Sequence, residues 1–213
     1  MIERLDLTAS IVLHNENLKE LLKTVDCFLD VSLKKKLFLI DNTSNQRFKN
    51  IFKHPEVEYI AIGKNIGFGA GHNMITDKIK DLSYYHLILN PDISFKGSII
   101  SNLIAVLKDN NELAMIAPKV LFPNKTYQYS CRRYPSVQEL LARRFIFFKS
   151  IFKKAISRGT YIDRDLSKPF FAEYITGCFH LFNTEDFVEI NGFDERYFLY
   201  MEDVDICKKI DDL

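Results

Sequence analysis

Short apolar runs alternate with helix-patterned stretches along the first half of this chain, and that alternation confines it to a small set of folds. Thr8 to Leu13 reads as a first strand, and Leu18, Leu21, Leu22, Val25, Phe28 and Leu29 then fall on one face of a helix. Leu37 to Ile40 and Val57 to Ile62 follow as strands, then a glycine-rich helix start, a strand at His86 to Leu89 and a helix over 97–108. Ala114 to Val120 and Glu173 to Phe182, the latter containing Gly177, supply two further strands. Strands that alternate with helices predict an α/β fold, a mostly parallel sheet with helices on both faces. At 213 residues and 47% hydrophobic content the chain can fill the core of one large domain, or of a domain with an appendage.

Several function classes are disfavoured at once. A formal charge of +1, with no interleaved basic and aromatic recognition module, gives no support for a nucleic-acid partner. Cys27, Cys131, Cys178 and Cys207 are far apart and form no C-x-x-C pair, so they read as reduced, mostly buried thiols of a cytoplasmic protein. Glu3 and Asp6 exclude a secretory signal from the short apolar N-terminus, and no apolar stretch approaches the roughly 18 residues of a membrane span. Between Arg132 and Arg158 the character changes: eight Lys or Arg are interleaved with Phe145, Ile146, Phe147, Phe148, Ile151 and Phe152. Such a stretch suits a membrane surface, and suits equally a helix that covers the sheet with a solvated basic face.

Three constellations carry chemistry. In Tyr200-Met201-Glu202-Asp203-Val204-Asp205, three carboxylates crowd behind an aromatic block, which raises their pKa values mutually and suits a cation, a basic group or a proton-transfer task. The same acids also suit the first turn of a short helix carrying Val204, Ile206 and Ile210. Leu87-Ile88-Leu89-Asn90-Pro91-Asp92 sets Asn90 and Asp92 at the C-terminal end of a buried strand, where ligands of open α/β sheets bind. Their oxygens suit magnesium or manganese, which takes few ligands from protein; Asn-Pro-Asp is also an ordinary turn. Asn65 through Asn73 holds three glycines in five residues ahead of a helix carrying Met74, Ile75 and Ile79 on one face. His72 stands where a dinucleotide fingerprint needs its last glycine, and no Walker lysine follows. What remains is a turn whose amides suit a diphosphate, or simply a tight helix entry. Asp41-Asn42-Thr43-Ser44, at the end of the second strand, is placed to meet a base, and is turn chemistry as well.

With these residues in order, the chain resembles the family 2 glycosyltransferases, most closely their bacterial rhamnosyltransferase-like members. The resemblance runs from about Ala9 to Lys209. It rests on Ile40 to Ser44, Asn65 to Asn73, Leu89 to Asp92, Ile175-Thr176-Gly177, and Gly192-Phe193-Asp194-Glu195 through Asp205. Arg132 to Ser136 and Leu140 to Arg144 also look like a segment common in those members.

The resemblance implies a GT-A fold with a Rossmann-like sheet, spanning residues 1–213 as a single domain. Residues 1–120 would form its nucleotide-sugar-binding half and 121–213 its acceptor-side half. It implies an inverting, metal-dependent hexosyltransferase using Mg2+ or Mn2+. The donor would be dTDP-rhamnose or a UDP-sugar, galactofuranose included, and the acceptor a lipid-linked saccharide of O-antigen or capsule assembly. The place of action would be the cytoplasm, with peripheral contact at the inner face of the plasma membrane. Residue by residue, Asp203 matches the catalytic base and Glu202 and Asp205 its acidic companions. Asp92 matches the metal ligand, Asn90 replaces the first acid of the usual Asp-x-Asp, and Asp41 matches the base-binding position. Asn65, Gly67, Gly71 and Asn73 match the glycine-rich donor segment. The side chains of Asp41, Asp92 and Asp203 are thus expected around one cleft. Two departures stand out. Lys208 and Lys209 occupy the place of a usual arginine, and the chain stops at Leu213 where family members continue. The second departure implies, as the alternative, a truncated and inactive nucleotide-sugar-binding remnant.

Overall fold

The computed structural model describes residues 3–134, 159–162 and 164–213. The Leu140 to Arg144 segment and the aromatic run from Phe145 to Phe152 lie outside the described residues. The chain divides into two compact units, one of residues 1–118 with 177–213, the other of 119–176.

The first unit is built on a six-stranded sheet in the order β3-β2-β1-β4-β8-β5. Its first strands and helices are β1 (Leu5–Leu13), α1 (Leu18–Leu29), β2 (Lys35–Asp41), β3 (Val57–Ala61), α2 (Phe68–Asn73) and α3 (Thr76–Ile79). Then come β4 (Ser83–Leu89), α4 (Gly97–Asp109) and β5 (Met115–Ile116). In the second unit, β6 (Cys131–Arg132) pairs antiparallel with β7 (Tyr174–Ile175). The chain then re-enters the first unit with β8 (Phe179–Asn183), α5 (Thr184–Glu189) and α6 (Glu202–Asp211).

Strands β1 to β4 are parallel, and β8 runs antiparallel to β4, so the sheet is mostly parallel as predicted. Central β1 explains why: Leu7, Ala9, Ile11 and Leu13 are fully buried, and so are Thr8 and Ser10 on the alternate positions. A strand buried on both faces needs partners for those hydroxyls. They find them in a buried chain in which Thr8 Oγ1 meets Ser83 Oγ at 2.7 Å and His86 Nδ1 at 2.9 Å. Ser10 Oγ bridges His86 Nε2 at 3.1 Å and His72 Nδ1 at 2.7 Å. Burial lowers the pKa of His86 to about 3 and holds His72 well below its ordinary value, so both rings are neutral.

Some sequence expectations shift. Helix α1 is capped by Asn17, whose side chain accepts from Lys19 N, and buries Leu21, Val25 and Phe28, but Leu18 and Leu22 lie exposed. Of Ala114 to Val120 only Met115–Ile116 forms a strand. The single strand expected over Glu173 to Phe182 is two strands, β7 in the second unit and β8 in the first. The helix after the glycines is likewise broken into α2 and α3, which leaves Met74 exposed while Ile75 and Ile79 are buried. The four cysteines are free; Cys178 and Cys207 are buried, Cys27 and Cys131 half-buried.

Candidate active site

A cavity of about 400 Å³ opens at the C-terminal ends of the parallel strands. His14 and Glu16 follow β1, Asn42 follows β2, and Asn90, Pro91 and Asp92 follow β4, all in its wall. These ends are joined by packing: Thr24 Oγ1 of α1 donates to Pro91 O at 2.8 Å, and Asn90 N donates to Cys178 O at 3.0 Å. Asn90 is half-buried and Asp92 exposed, so their oxygens are open to a ligand. The opposite side is formed by Asn65, Gly67 and Phe68, with Phe198 and Leu199.

The glycines have separable tasks. Gly67 adopts φ +97, a left-handed conformation, and a Cβ there would stand 2.5 Å from Phe198 O. Gly71 lets α2 approach β1, since a Cβ would stand 2.7 Å from Val12 Cγ2. Asn65 Oδ1 accepts from Gly67 N at 3.0 Å, Phe198 O accepts from Phe68 N at 3.1 Å, and Gly67 O accepts from Gly71 N at 3.3 Å. Three amides considered for a diphosphate are therefore turned to protein oxygens, and these contacts describe a tight helix entry. Gly71 is not in the cavity wall.

Asp41 and Asn73 are likewise occupied within the protein. Asp41 is fully buried; its Oδ1 accepts from Thr43 N at 2.8 Å and its Oδ2 from the Tyr59 hydroxyl. Burial first, and then that bond, raise the pKa of the Tyr59 phenol. The group that β2 presents to the cavity is Asn42, whose Nδ2 donates to Gly67 O at 2.8 Å. Asn73 clamps the turn before α6: its Nδ2 donates to Phe193 O at 2.8 Å and to Glu195 Oε1 at 3.1 Å, and its Oδ1 accepts from Phe193 N at 3.0 Å.

The three clustered acids occupy the first turn of α6. Asp203 is half-buried, its Oδ1 accepts from Val204 N at 2.9 Å, and its Cβ would be 3.7 Å from a Cβ placed on Gly177. The same position on Gly177 is 3.4 Å from the Phe68 ring, so Gly177 is flanked by Asp203 and by Phe68 of the cavity wall. Glu202 is buried with Oε2 unpaired; burial raises its pKa, a backbone hydrogen bond partly opposes this, and the charge on Asp203 adds to it. Asp205 Oδ2 faces Lys209 Nζ at 3.5 Å, and that lysine donates to Gly192 O at 3.2 Å. Here Lys209 ties α6 to the Gly192 turn.

Of the residues singled out in the sequence, the cavity wall therefore gathers Asn65, Gly67, Asn90 and Asp92. It leaves Asp41, Gly71, Asn73, Glu202, Asp203 and Asp205 outside. His14, Glu16 and Glu20 enter it without having been singled out. His14 and Glu16 carried a signal, since they follow a parallel strand directly, as Asn42 and Asn90 do.

No family model matches the chain. It is similar to the rhamnosyltransferase WbbL of Escherichia coli strain K12, at 27% identity over 186 residues, 82% of this chain and 66% of that protein. It is 25% identical over 171 residues to the low-salt glycan biosynthesis hexosyltransferase Agl10 of Haloferax volcanii, 79% of this chain and 51% of that protein. An N-acetylglucosaminyl-diphospho-decaprenol L-rhamnosyltransferase of Mycobacterium tuberculosis is 22% identical over 170 residues, 74% of this chain and 54% of that one. The chain thus spans about half to two thirds of the length of these relatives. Among solved structures, GalNAc-T7 with UDP, GalNAc and Mn2+ superposes on 97% of this chain and 40% of its own, at a TM-score of 0.72 and 16% identity. The mannosyltransferase PcManGT of Pyrobaculum calidifontis, in complex with GDP-Man and Mn2+, gives 0.59 at 14% identity, over 98% of this chain and 52% of its own.

The fold is that of the GT-A glycosyltransferases. Within that class, the chain is similar in sequence to rhamnosyltransferases.

Proposed function

We propose that the chain forms the donor site and base of an inverting glycosyltransferase, which moves a hexose, rhamnose first, from a nucleoside diphosphate to a saccharide. The observation that carries this reading is the cavity at the ends of β1, β2 and β4, with Asn90 and Asp92 in its wall, and with Gly177 flanked by Phe68 of that wall and by Asp203 of α6.

The donor set fits magnesium or manganese. One exposed carboxylate and one amide at the cavity wall are hard oxygen donors. Such ions complete their shell with water and phosphate. Asp92 and Asn90 would hold the ion, which when bound offsets charge on the departing diphosphate. Asn42, fixed by its bond to Gly67 O, lies where the nucleoside end enters, and Asp41 positions it through the turn at Thr43. Asp203 takes the proton of the acceptor hydroxyl as that hydroxyl attacks the anomeric carbon; a single displacement inverts configuration, and no enzyme nucleophile is required. Glu202 stands buried beside Asp203 as its acidic companion, and Asp205, through Lys209, ties α6 to the Gly192 turn.

The donor is dTDP-rhamnose by preference, with a UDP-hexose as the second choice. The acceptor is a lipid-linked saccharide at the cytoplasmic face of a membrane, in assembly of a surface polysaccharide such as O-antigen or capsule. Residues 1–120 carry the donor half of this domain and 121–213 the acceptor side.

Calorimetric titration with dTDP and UDP, with and without Mn2+, tests the site without needing an acceptor. Metal-dependent binding that Asp92→Asn weakens about tenfold or more is the expected result. Slow release of rhamnose from dTDP-rhamnose with Mn2+ would add turnover. Binding without hydrolysis or transfer would make the chain a nucleotide-sugar-binding protein, and binding that ignores both the metal and Asp92 would overturn the site.

A further inference from the structure

The second unit carries a hydrogen-bonded tip on which two large apolar side chains are exposed. Between 119 and 129 the chain forms a hairpin, bridged at Leu121 and Tyr127. Thr126 O accepts from Phe122 N at 2.8 Å, Phe122 O from Lys125 N at 2.8 Å, and Val120 O from Gln128 N at 3.0 Å. Asn124 Oδ1 closes the turn by accepting from Thr126 N at 3.0 Å, and Lys125 takes φ +66. Leu121 and Phe122 are each 49% exposed on this fixed frame. Lys119 and Lys125 beside them are exposed as well.

Charge selects the partner. Among the described residues of this unit, six Lys or Arg stand against two Asp or Glu. Glu173 Oε2 accepts from Tyr134 N, and Asp165, exposed, accepts from Ser167 N and Oγ, and its charge meets that of Lys119. The basic groups Lys119, Lys125, Arg164 and Lys168 are solvent-facing. A hydrogen-bonded tip with a leucine and a phenylalanine between two lysines matches a surface that is anionic outside and apolar a few ångströms below.

We infer that the 119–129 hairpin is an anchor that seats Leu121 and Phe122 in the headgroup layer of an anionic bilayer, with Lys119 and Lys125 on the lipid phosphates. This deepens the proposed function only in taking the acceptor to be membrane-borne; lipid binding itself needs neither donor nor turnover.

Co-sedimentation of the whole chain with phosphatidylcholine vesicles, with and without phosphatidylglycerol, tests it. Binding should require phosphatidylglycerol and fall with salt. The double variant Lys119→Gln, Lys125→Gln should bind about 30-fold more weakly, at roughly fivefold per basic group. Phe122→Ser should lose roughly tenfold, and Lys49→Gln with Lys53→Gln, exposed on the other unit, should lose nothing. Both sets change exposed side chains, and the urea midpoint of each variant serves as the folding check. Absence of vesicle binding, equal binding to neutral vesicles, or equal losses in the Lys49 and Lys53 control would each overturn the anchor. So would a dimer that Phe122→Ser dissolves while vesicle binding persists, since the tip would then serve a second copy.

Discussion

Asp203 and Glu202 are sequence neighbours with different surroundings, and their substitution should separate two effects. Asp203→Asn keeps the size of the side chain and removes the base; transfer should fall about 100-fold to 10,000-fold while dTDP affinity holds. Loss of affinity as large as the loss of rate would remove Asp203 from that role. Asn73 makes three hydrogen bonds to the turn before α6, so Asn73→Ala should destabilise the fold by about 1 to 3 kcal/mol, seen as a lowered urea midpoint. An unchanged midpoint would mean that the clamp is dispensable. Asp41 and Asn42 mark where sequence reading stops at this scale. Turn chemistry identified the pair, but the two-residue alternation of a strand end decides which neighbour points inward. Tyr59, eighteen residues on, is what claims the Asp41 carboxylate.

Among elements, β1 and β4 were legible because a strand covered on both faces reads as an apolar run, and α1 because its apolar positions recur with helical spacing. The break between β7 and β8 had one mark, Gly177, which stands at the change of unit, but the apolar residues on either side of it carry no change of period that would tell a break from a glycine inside one strand. The hydroxyl and imidazole chain between β1, β4 and α2 gives a pH prediction. An unfolded histidine titrates near 6.5 and folded His86 near 3, so between those values the unfolded state binds more protons. Stability from this residue is complete above about pH 6.5 and is lost as pH falls toward 3, by about 4 to 5 kcal/mol in total. His72 shifts in the same direction and steepens the loss. Urea denaturation at several pH values between 4 and 7 should therefore show net proton uptake on unfolding; a flat profile would mean that these rings are not held neutral. Gly71→Ala tests the approach of α2 to β1, where a Cβ meets Val12, and should cost about 1 to 3 kcal/mol in thermal or urea unfolding.

For the whole molecule, the near-neutral total conceals a partition. Residues 119–176 hold twelve Lys or Arg against four Asp or Glu, and the remainder of the chain holds seventeen against twenty-four. The sum of +8 and −7 is the formal +1 of the chain. A chromatography resin responds to the charge within reach of its own surface, because ions in the buffer mute anything beyond roughly 10 Å at 0.1 M salt. Near pH 7.6, the isoelectric point, a protein of evenly mixed charge would flow through cation and anion exchangers alike. This chain should be retained by both in dilute buffer and released from both by modest salt, and passage through either one unretained would show that its two blocks of opposite sign are masked in solution.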